Sequence, residues 1–239
     1  MSGVPTLQDW IPNLLRGLEL TVLLTVLGSI LMLLLSVVLG LAARSQRRWL
    51  RGSARTVIEF FRGTSLLVQL FWLFYALPQL GIRFEPLLVG VLALGLNYGA
   101  YGSEVVRGSL NAVPAAQWEA ATALNMSPWQ RMRRVIWPQA VVLMLPPFNN
   151  LLIQLLKGTP LVIAISLVDL FAVGEAFRTG GGNVYLMYLV VLPAIYLALA
   201  YTMTFGMNLL EAAAKARLGQ GRGLRDAFAN LRPGAVVKT

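Results

Sequence analysis

Five long apolar runs, at roughly 18–42, 57–80, 86–106, 136–168 and 184–209, constrain this chain more than any other feature. Each is near the ~20 residues that a helix needs to cross a bilayer. Only 13% of the residues are charged and the mean hydropathy is +0.67. An average soluble domain has about a quarter of its residues charged. A soluble fold of 239 residues buries a core but cannot hide this much apolar surface, so the bilayer takes the excess. The runs lack the polar–apolar alternation of barrel strands, and a spanning segment must satisfy its own backbone hydrogen bonds. The expected fold class is therefore all-α integral membrane, with five transmembrane helices. The fourth run is too long for one straight crossing and carries Pro138, Pro146 and Pro147 near its start, which predicts a broken or tilted helix with a re-entrant outer end. No cleavable signal peptide is expected, because the first run is too long and no small-residue cleavage site follows it.

The cations orient the spans. Five Arg fall in 44–55; Arg107, Arg131, Arg133 and Arg134 fall in 107–134; Lys215, Arg217, Arg222, Arg225, Arg232 and Lys238 follow the last run. That places fifteen of the twenty Lys and Arg on one side, against Arg16, Arg83 and Arg178 on the other. Five spans then put the N-terminus outside and the C-terminus in the cytoplasm, with a transmembrane domain over 1–215 and a basic cytoplasmic tail over 216–239. The net charge of +10 reads as a topology signal and an attraction to membrane lipids, not as a nucleic-acid footprint. With no Cys and no His, thiol chemistry, imidazole catalysis and the usual zinc sets are excluded, and no metal site is expected. No close pair of carboxylates suggests an enzyme.

Two cations remain inside apolar runs, with the same neighbours: Arg62 in FFRGTSLLV (60–68) and Lys157 in LLKGTPLVI (155–163). A charge at the centre of a membrane helix costs ~2.5 kcal/mol or more and nearly always faces a bundle interior or a wet cavity. Gly after the cation weakens the helix, and the Thr64 or Thr159 hydroxyl can meet a ligand or refill the i−4 carbonyl. The repeat suggests two kinked spans related by an internal pseudo-symmetry. Glu104 supplies the opposite sign on the third span, with Asn97, Tyr98 and Tyr101 one or two turns earlier. The expected substrate pathway is Arg62, Thr64, Asn97, Tyr98, Tyr101, Glu104, Lys157 and Thr159. Its cations suit a carboxylate, while Glu104 and the faces of Tyr98, Tyr101, Phe71 and Trp72 suit a delocalised cation, so a small zwitterion fits. Two readings of each cation stand: substrate contact, or a structural role in which Arg62 snorkels and Lys157 pairs with Glu104 or a partner carboxylate.

Plainer features complete the pattern. Pro193 is expected to kink the fifth span for packing, and Glu211 and Lys215 to pair at i, i+4. LFWLFYAL (70–77) reads as lipid-facing or an interface belt more than as a ligand cage, and Gly180–Gly182 as an external turn.

The longest cytoplasmic loop, QWEAATALNMSPWQRMRRVIWPQA (117–140), predicts two short helices. Glu119 to Leu124 are good helix formers, and Ala120 and Ala121 leave a shallow surface for another protein. Asn125 suits the left-handed stop. Ser127-Pro128 restarts the chain, with Ser as N-cap and Pro at the first position. A helix–turn–helix beneath a membrane domain reads as a docking knob; a solvated connector is the plainer alternative.

This loop resembles the EAA loop of ABC-importer permeases: Glu-Ala-Ala, three residues, Gly, nine residues, then Ile-x-Leu-Pro. Glu119, Ala120, Ala121 and Pro138 match; Asn125 stands for the usual Gly, and Trp137 for Leu. RGTSLLVQLFWLFYALP (62–78), ALGLNYGAYGSEVVRGSL (93–110), VPAAQWEAA (113–121) and LPPFNNLLIQLLKGTPL (145–161) resemble the polar amino-acid uptake branch, and most resemble its ectoine and hydroxyectoine permeases. Relatives often carry Asp where this chain has Gly158, which argues against a dicationic substrate.

The resemblance implies a type I importer (MetI-like) permease fold in a bacterial cytoplasmic (inner) membrane. Residues 117–138, including Glu119, Ala120, Ala121, Leu124, Asn125 and Pro138, would couple to a separate ATPase dimer. The chain lacks a phosphate-binding G-x-x-x-x-G-K-[ST] loop. ATP and its magnesium therefore belong to that partner, and no cofactor is expected on this chain. A second permease chain, identical or homologous, and a periplasmic or lipid-anchored solute-binding protein complete the set. Rival readings are a secondary transporter of a small zwitterion driven by an ion gradient, and a membrane scaffold without a pathway.

Overall fold

A computed structural model describes residues 7–178 and 183–219. The expected Gly180–Gly182 turn and all but the first residues of the basic tail lie outside that range. The described residues form nine α-helices: α1 (Leu7–Ala42), α2 (Arg48–Gly63), α3 (Leu66–Phe71), α4 (Pro86–Ala112), α5 (Ala115–Ala123), α6 (Pro128–Arg131), α7 (Trp137–Gly158), α8 (Leu170–Arg178) and α9 (Asn183–Arg217). A π-turn and a 3-10 turn extend α3 to Leu80, a π-turn joins α6 to α7, and a 3-10 turn (Thr159–Ile165) continues α7. No strand occurs among the described residues.

Three helical stretches are long and apolar enough to cross a membrane: Ile11–Ala42, Pro128–Ile165 and Leu189–Arg217. A fourth arises if the bent pair Arg48–Gly63 and Leu66–Leu80 counts as one. The expected span 57–80 is not one helix. Its first residues end α2, and the chain turns by 104° before α3. Gly63 weakens the helix, and Thr64 and Ser65 take extended backbone (ψ 146° and 141°) that no helix continues. Arg62 thus sits at a corner, on the last turn of α2. The fourth run does not break at Pro146 and Pro147, which lie inside α7; it tightens to 3-10 geometry only after Gly158.

α4 is the central helix, and its composition follows from its place. Its 27 residues include Gly95, Gly99 and Gly102 on one face, where α1 packs closely. A Cβ on Gly95 would fall 2.5 Å from Leu31, and one on Gly99 2.9 Å from Leu35. Reciprocally, Gly40 of α1 lies under Ser103 and Val106 of α4. Small residues let two backbones approach, and dispersion then replaces the hydrophobic effect that lipid cannot supply. Ser36 donates to its own Met32 carbonyl (2.6 Å) and reaches the Gly99 carbonyl across the seam (3.3 Å). Leu24, Met32, Leu94, Val106, Ile136 and Leu155, all fully buried, fill the core between α1, α4 and α7.

The outer elements are tied by Asp169, which is fully buried in the turn before α8, outside the long spans. Its Oδ1 accepts from the Ala172 N–H (2.9 Å) and its Oδ2 from the Tyr196 hydroxyl of α9 (3.3 Å). The next residue's N–H donates to Thr21 of α1 (3.1 Å). Burial raises the Asp169 carboxyl above its ordinary range, against the pull of these donors. Pro193 lies within α9, and Glu211 pairs with Lys215 as expected.

Gly40→Ala would place a methyl 2.9 Å from the Ser103 carbonyl oxygen. The expected cost is about 1–3 kcal/mol, read as a lower melting temperature of the purified protein. Gly52→Ala, with nothing within 4 Å, should leave melting unchanged or slightly raised. Equal melting of both variants contradicts the α1–α4 packing.

Candidate functional site

The loop 117–138 folds as a compact knob. α5 ends in the stop expected at Asn125, whose φ is +54°. Asn125 N–H donates to the Thr122 carbonyl (2.9 Å) and Met126 N–H to the Ala121 carbonyl (3.1 Å), the paired bonds of a Schellman turn. Ser127 caps α6 by a reciprocal capping box with Gln130. Ala121 is buried against the body, while Glu119, Ala120, Ala123 and Leu124 are exposed; Leu124 is 70% exposed. Pro138 is half-buried in the first turn of α7.

Two side-chain contacts tie the knob to the spans, Arg44 against Trp118 and Gln139 to Gln117, while Arg131 braces Trp118 from within the knob. The Trp118 ring has the Arg44 guanidinium 5.8 Å from its centre and that of Arg131 at 5.6 Å. Arg44, just past α1, also donates to Asn111 near the end of α4 (2.6 Å). Gln139 of α7 donates to Gln117 (3.2 Å). α5 follows α4 after only two residues, so the knob is a short lever on the central helix. A cleft of about 410 Å³ opens beside it, lined by Trp118, Glu119, Thr122, Ala123 and Arg131.

The expected pathway residues gather at the two helix breaks. A helix end leaves carbonyls without partners, and α4 supplies many of the donors. At the first break Asn97 donates to the Phe61 carbonyl (3.1 Å), and Tyr101 to the Arg62 carbonyl (3.2 Å). Thr64 refills its own i−4 carbonyl at Phe60 (2.8 Å). Gln69 adds donations to the Phe61 carbonyl (3.0 Å), the Thr64 carbonyl (3.3 Å) and the Thr64 hydroxyl (2.8 Å). At the second break Tyr98 donates to the Gln154 carbonyl (2.9 Å), and Thr159, fully buried, to the Leu156 carbonyl (2.8 Å). The Tyr98 hydroxyl occupies the space where a side chain on Gly158 would sit, 2.8 Å from an ideal Cβ. The segments after the breaks meet as well: Tyr75 donates to the Ala164 carbonyl (3.0 Å).

The cations behave differently. Arg62 is exposed, with its guanidinium 5.3 Å from the centre of the Tyr101 ring. Glu104 pairs with Arg107, three residues on (Nε–Oε2 3.1 Å), and not with Lys157. Lys157 is exposed and has no ion pair among the described residues. It continues a stripe that sequence reasoning missed: Asn150, Gln154 and Lys157, at i, i+4 and i+7, are all exposed on one face of α7. The helical spacing within NNLLIQLLK carried that signal. Gln69, Trp118 and Arg44 were also missed, since their partners lie on other elements.

The family described as binding-protein-dependent transport system inner membrane component matches residues 32–216. The chain is 42% identical over 212 residues to a probable amino-acid ABC transporter permease protein of Sinorhizobium fredii, covering 86% of this chain and 89% of that one. It is 34% identical to the L-cystine transport system permease protein of Bacillus subtilis, covering 85% and 87%. The glutamine transport system permease protein of Escherichia coli is 32% identical, with coverage of 87% and 98%. Among solved structures, an amino acid ABC transporter with histidines superposes with a TM-score of 0.77 at 30% identity, covering 88% of this chain and 98% of that one. The inward-facing MetNI methionine ABC transporter, at 18% identity and a TM-score of 0.66 over 86% and 95% of the two chains, shares the fold.

Asn97→Leu and Gln69→Leu together remove every side-chain donor to the Phe61 carbonyl. An orphaned buried acceptor costs about 1–3 kcal/mol, so the double variant should melt well below the wild type. Either single variant keeps one donor and should lose less. A double variant that melts like wild type refutes the carbonyl clamp.

Proposed function

The chain belongs to the family of binding-protein-dependent transport system inner membrane components and is a permease subunit of an amino-acid ABC importer, and on that premise we propose that it passes a small zwitterion by alternating access. It has the all-helical MetI-like fold of type I importer permeases. In this reading the chain crosses the inner membrane five times. α4 and the segment 66–80 count as full crossings, the N-terminus lies outside and the C-terminus in the cytoplasm. A separate ATPase dimer grips the knob at Glu119, Ala120 and Leu124, while buried Ala121 seats it on the body. ATP is the ligand that distinguishes the two states of that dimer, and its binding shifts the permease population from inward- to outward-open. A binding protein delivers the solute from outside.

The observation that carries the reading is the exposed polar stripe Asn150, Gln154 and Lys157 on a membrane helix. Such residues are costly against lipid and turn toward protein or a wet cavity. A second permease chain, identical or homologous, therefore faces the stripe, and the solute passes between the two. Lys157 meets the solute carboxylate, and the Tyr98 and Tyr101 rings face its cationic end, while Arg107 holds Glu104 out of that role. Tyr98 fills the space beside Gly158, so no carboxylate stands next to Lys157 to attract a second positive charge. That favours a polar amino acid or a compatible solute of the ectoine type over a dication. The relatives include L-cystine, glutamine and arginine transport permeases, so the preference against a dication rests on Gly158 alone.

Reconstitution with the ATPase, the second permease and the binding protein tests this. Uptake should require ATP hydrolysis and a zwitterion that the binding protein retains. Lys157→Ala should cut uptake by about tenfold or more, the worth of a charge-assisted hydrogen bond, with assembly intact. Uptake by the chain alone on an ion gradient, or normal uptake by that variant, overturns the corresponding part of the reading.

A further inference from the structure

α2 carries three stripes, and the fold of the single chain uses one. Leu50, Ala54, Ile58 and Phe61 fall at i, i+4, i+8 and i+11, with Ala54 and Ile58 buried against Leu39, Ala42 and Ala43 at the end of α1. A second stripe gathers Arg48, Arg51, Arg55 and Arg62, interrupted by Glu59. The third exposes Trp49, Ser53, Thr56 and Phe60 with Val57 beside them; Trp49 is 69% and Phe60 59% exposed.

The arginines are largely unspent. Arg48 and Arg55 have no carboxylate partner among the described residues, Arg51 reaches only the Ser45 carbonyl (3.4 Å), and Arg62 lies over Tyr101. Arg55, Glu59 and Arg62 line a cleft of about 280 Å³ with Ala43, Ile58, Glu104 and Arg107. Arg107 neutralises Glu104 there, so two arginines stand against one carboxylate. The 104° turn after Gly63 sets α2 almost square to the segment 66–80. If that segment crosses the bilayer, as in the topology proposed above, α2 lies along the cytoplasmic surface.

We propose that α2 is an interfacial helix that binds the phosphates of anionic phospholipids in the cytoplasmic leaflet. Arg48, Arg51, Arg55 and Arg62 hold the headgroups, with the 280 Å³ cleft as the seat nearest the turn. Trp49, Val57 and Phe60 sit at the level of the upper acyl chains, where aromatic side chains are favoured. Charge complementarity selects this occupant, because juxtamembrane basic clusters are drawn to an anionic leaflet and a solvated helix has no use for an exposed Trp–Phe stripe. Lipid bound here holds the turn that α4 clamps, so anionic lipid raises the transport rate.

The chain has no Cys, so single Cys labels are clean. In the complete importer in nanodiscs, nitroxides on Trp49→Cys, Thr56→Cys and Phe60→Cys should be accessible to oxygen at interfacial depth. Those on Arg48→Cys and Arg55→Cys should meet water-soluble nickel. Wild-type uptake should rise as phosphatidylglycerol replaces phosphatidylcholine, and lose that rise at high salt. Arg48→Gln with Arg55→Gln should weaken the response by about fivefold per arginine removed. Labels at 49 and 60 that contact water in every lipid overturn the proposal, as does protection of them only when the ATPase is added, which makes the stripe a protein interface. Uptake indifferent to anionic lipid also overturns it. The depth readout needs no transport, so a failure of the transport reading leaves it separately decidable.

Discussion

A helix that stops at a membrane surface or within a bundle leaves carbonyls that neither lipid nor the helix itself can satisfy. At two breaks in the described helices, after Gly63 and after Gly158, donors come from α4. Asn97 and Tyr101 serve the first, and Tyr98 serves the second. Three residues within one stretch of the central helix, 97–101, thus reach both corners. The cations that precede each Gly-Thr are then free of structural ion pairs with Glu104, which Arg107 already occupies.

The same helix is held on its other face by its glycines and is continued by the knob. Gly95, Gly99 and Gly102 bring α1 close enough that its end, through Arg44, reaches both Asn111 and the Trp118 ring. A displacement of α5 has little slack to absorb it: two residues separate it from α4, and Trp118 and Gln117 are tied at the side. Coupling of this kind is a bistable packing event carried by contiguous contacts.

Local chemistry was legible in the sequence; long-range pairing was not. The Asn125 stop and the Ser127 cap follow from side chains acting on their own backbone within a few residues, and both form. The corner at 63–65 was hidden because apolar residues run on both sides of it, and hydropathy measures composition rather than direction. The fold class was legible from the apolar runs. The polar residues of α4 stand out along the chain, but their partners do not. Asn97 and Tyr101 donate to carbonyls 36 and 39 residues away, which no periodicity reveals. The stripe of Asn150, Gln154 and Lys157 was visible in spacing but overshadowed by the charge at its end.

The proposed transport cycle requires the knob, α4 and the polar face of α7 to move as one linked unit. Nitroxides at Ala120 on the knob and at Leu143 on the α7 face, each paired with a label on the proposed second permease chain, report that motion by pulsed spin-distance measurement across the nucleotide cycle. The account predicts that both distances change between the nucleotide-free and ATP-trapped states, and at the same nucleotide concentration. A knob distance that shifts while the Leu143 distance stays fixed contradicts it.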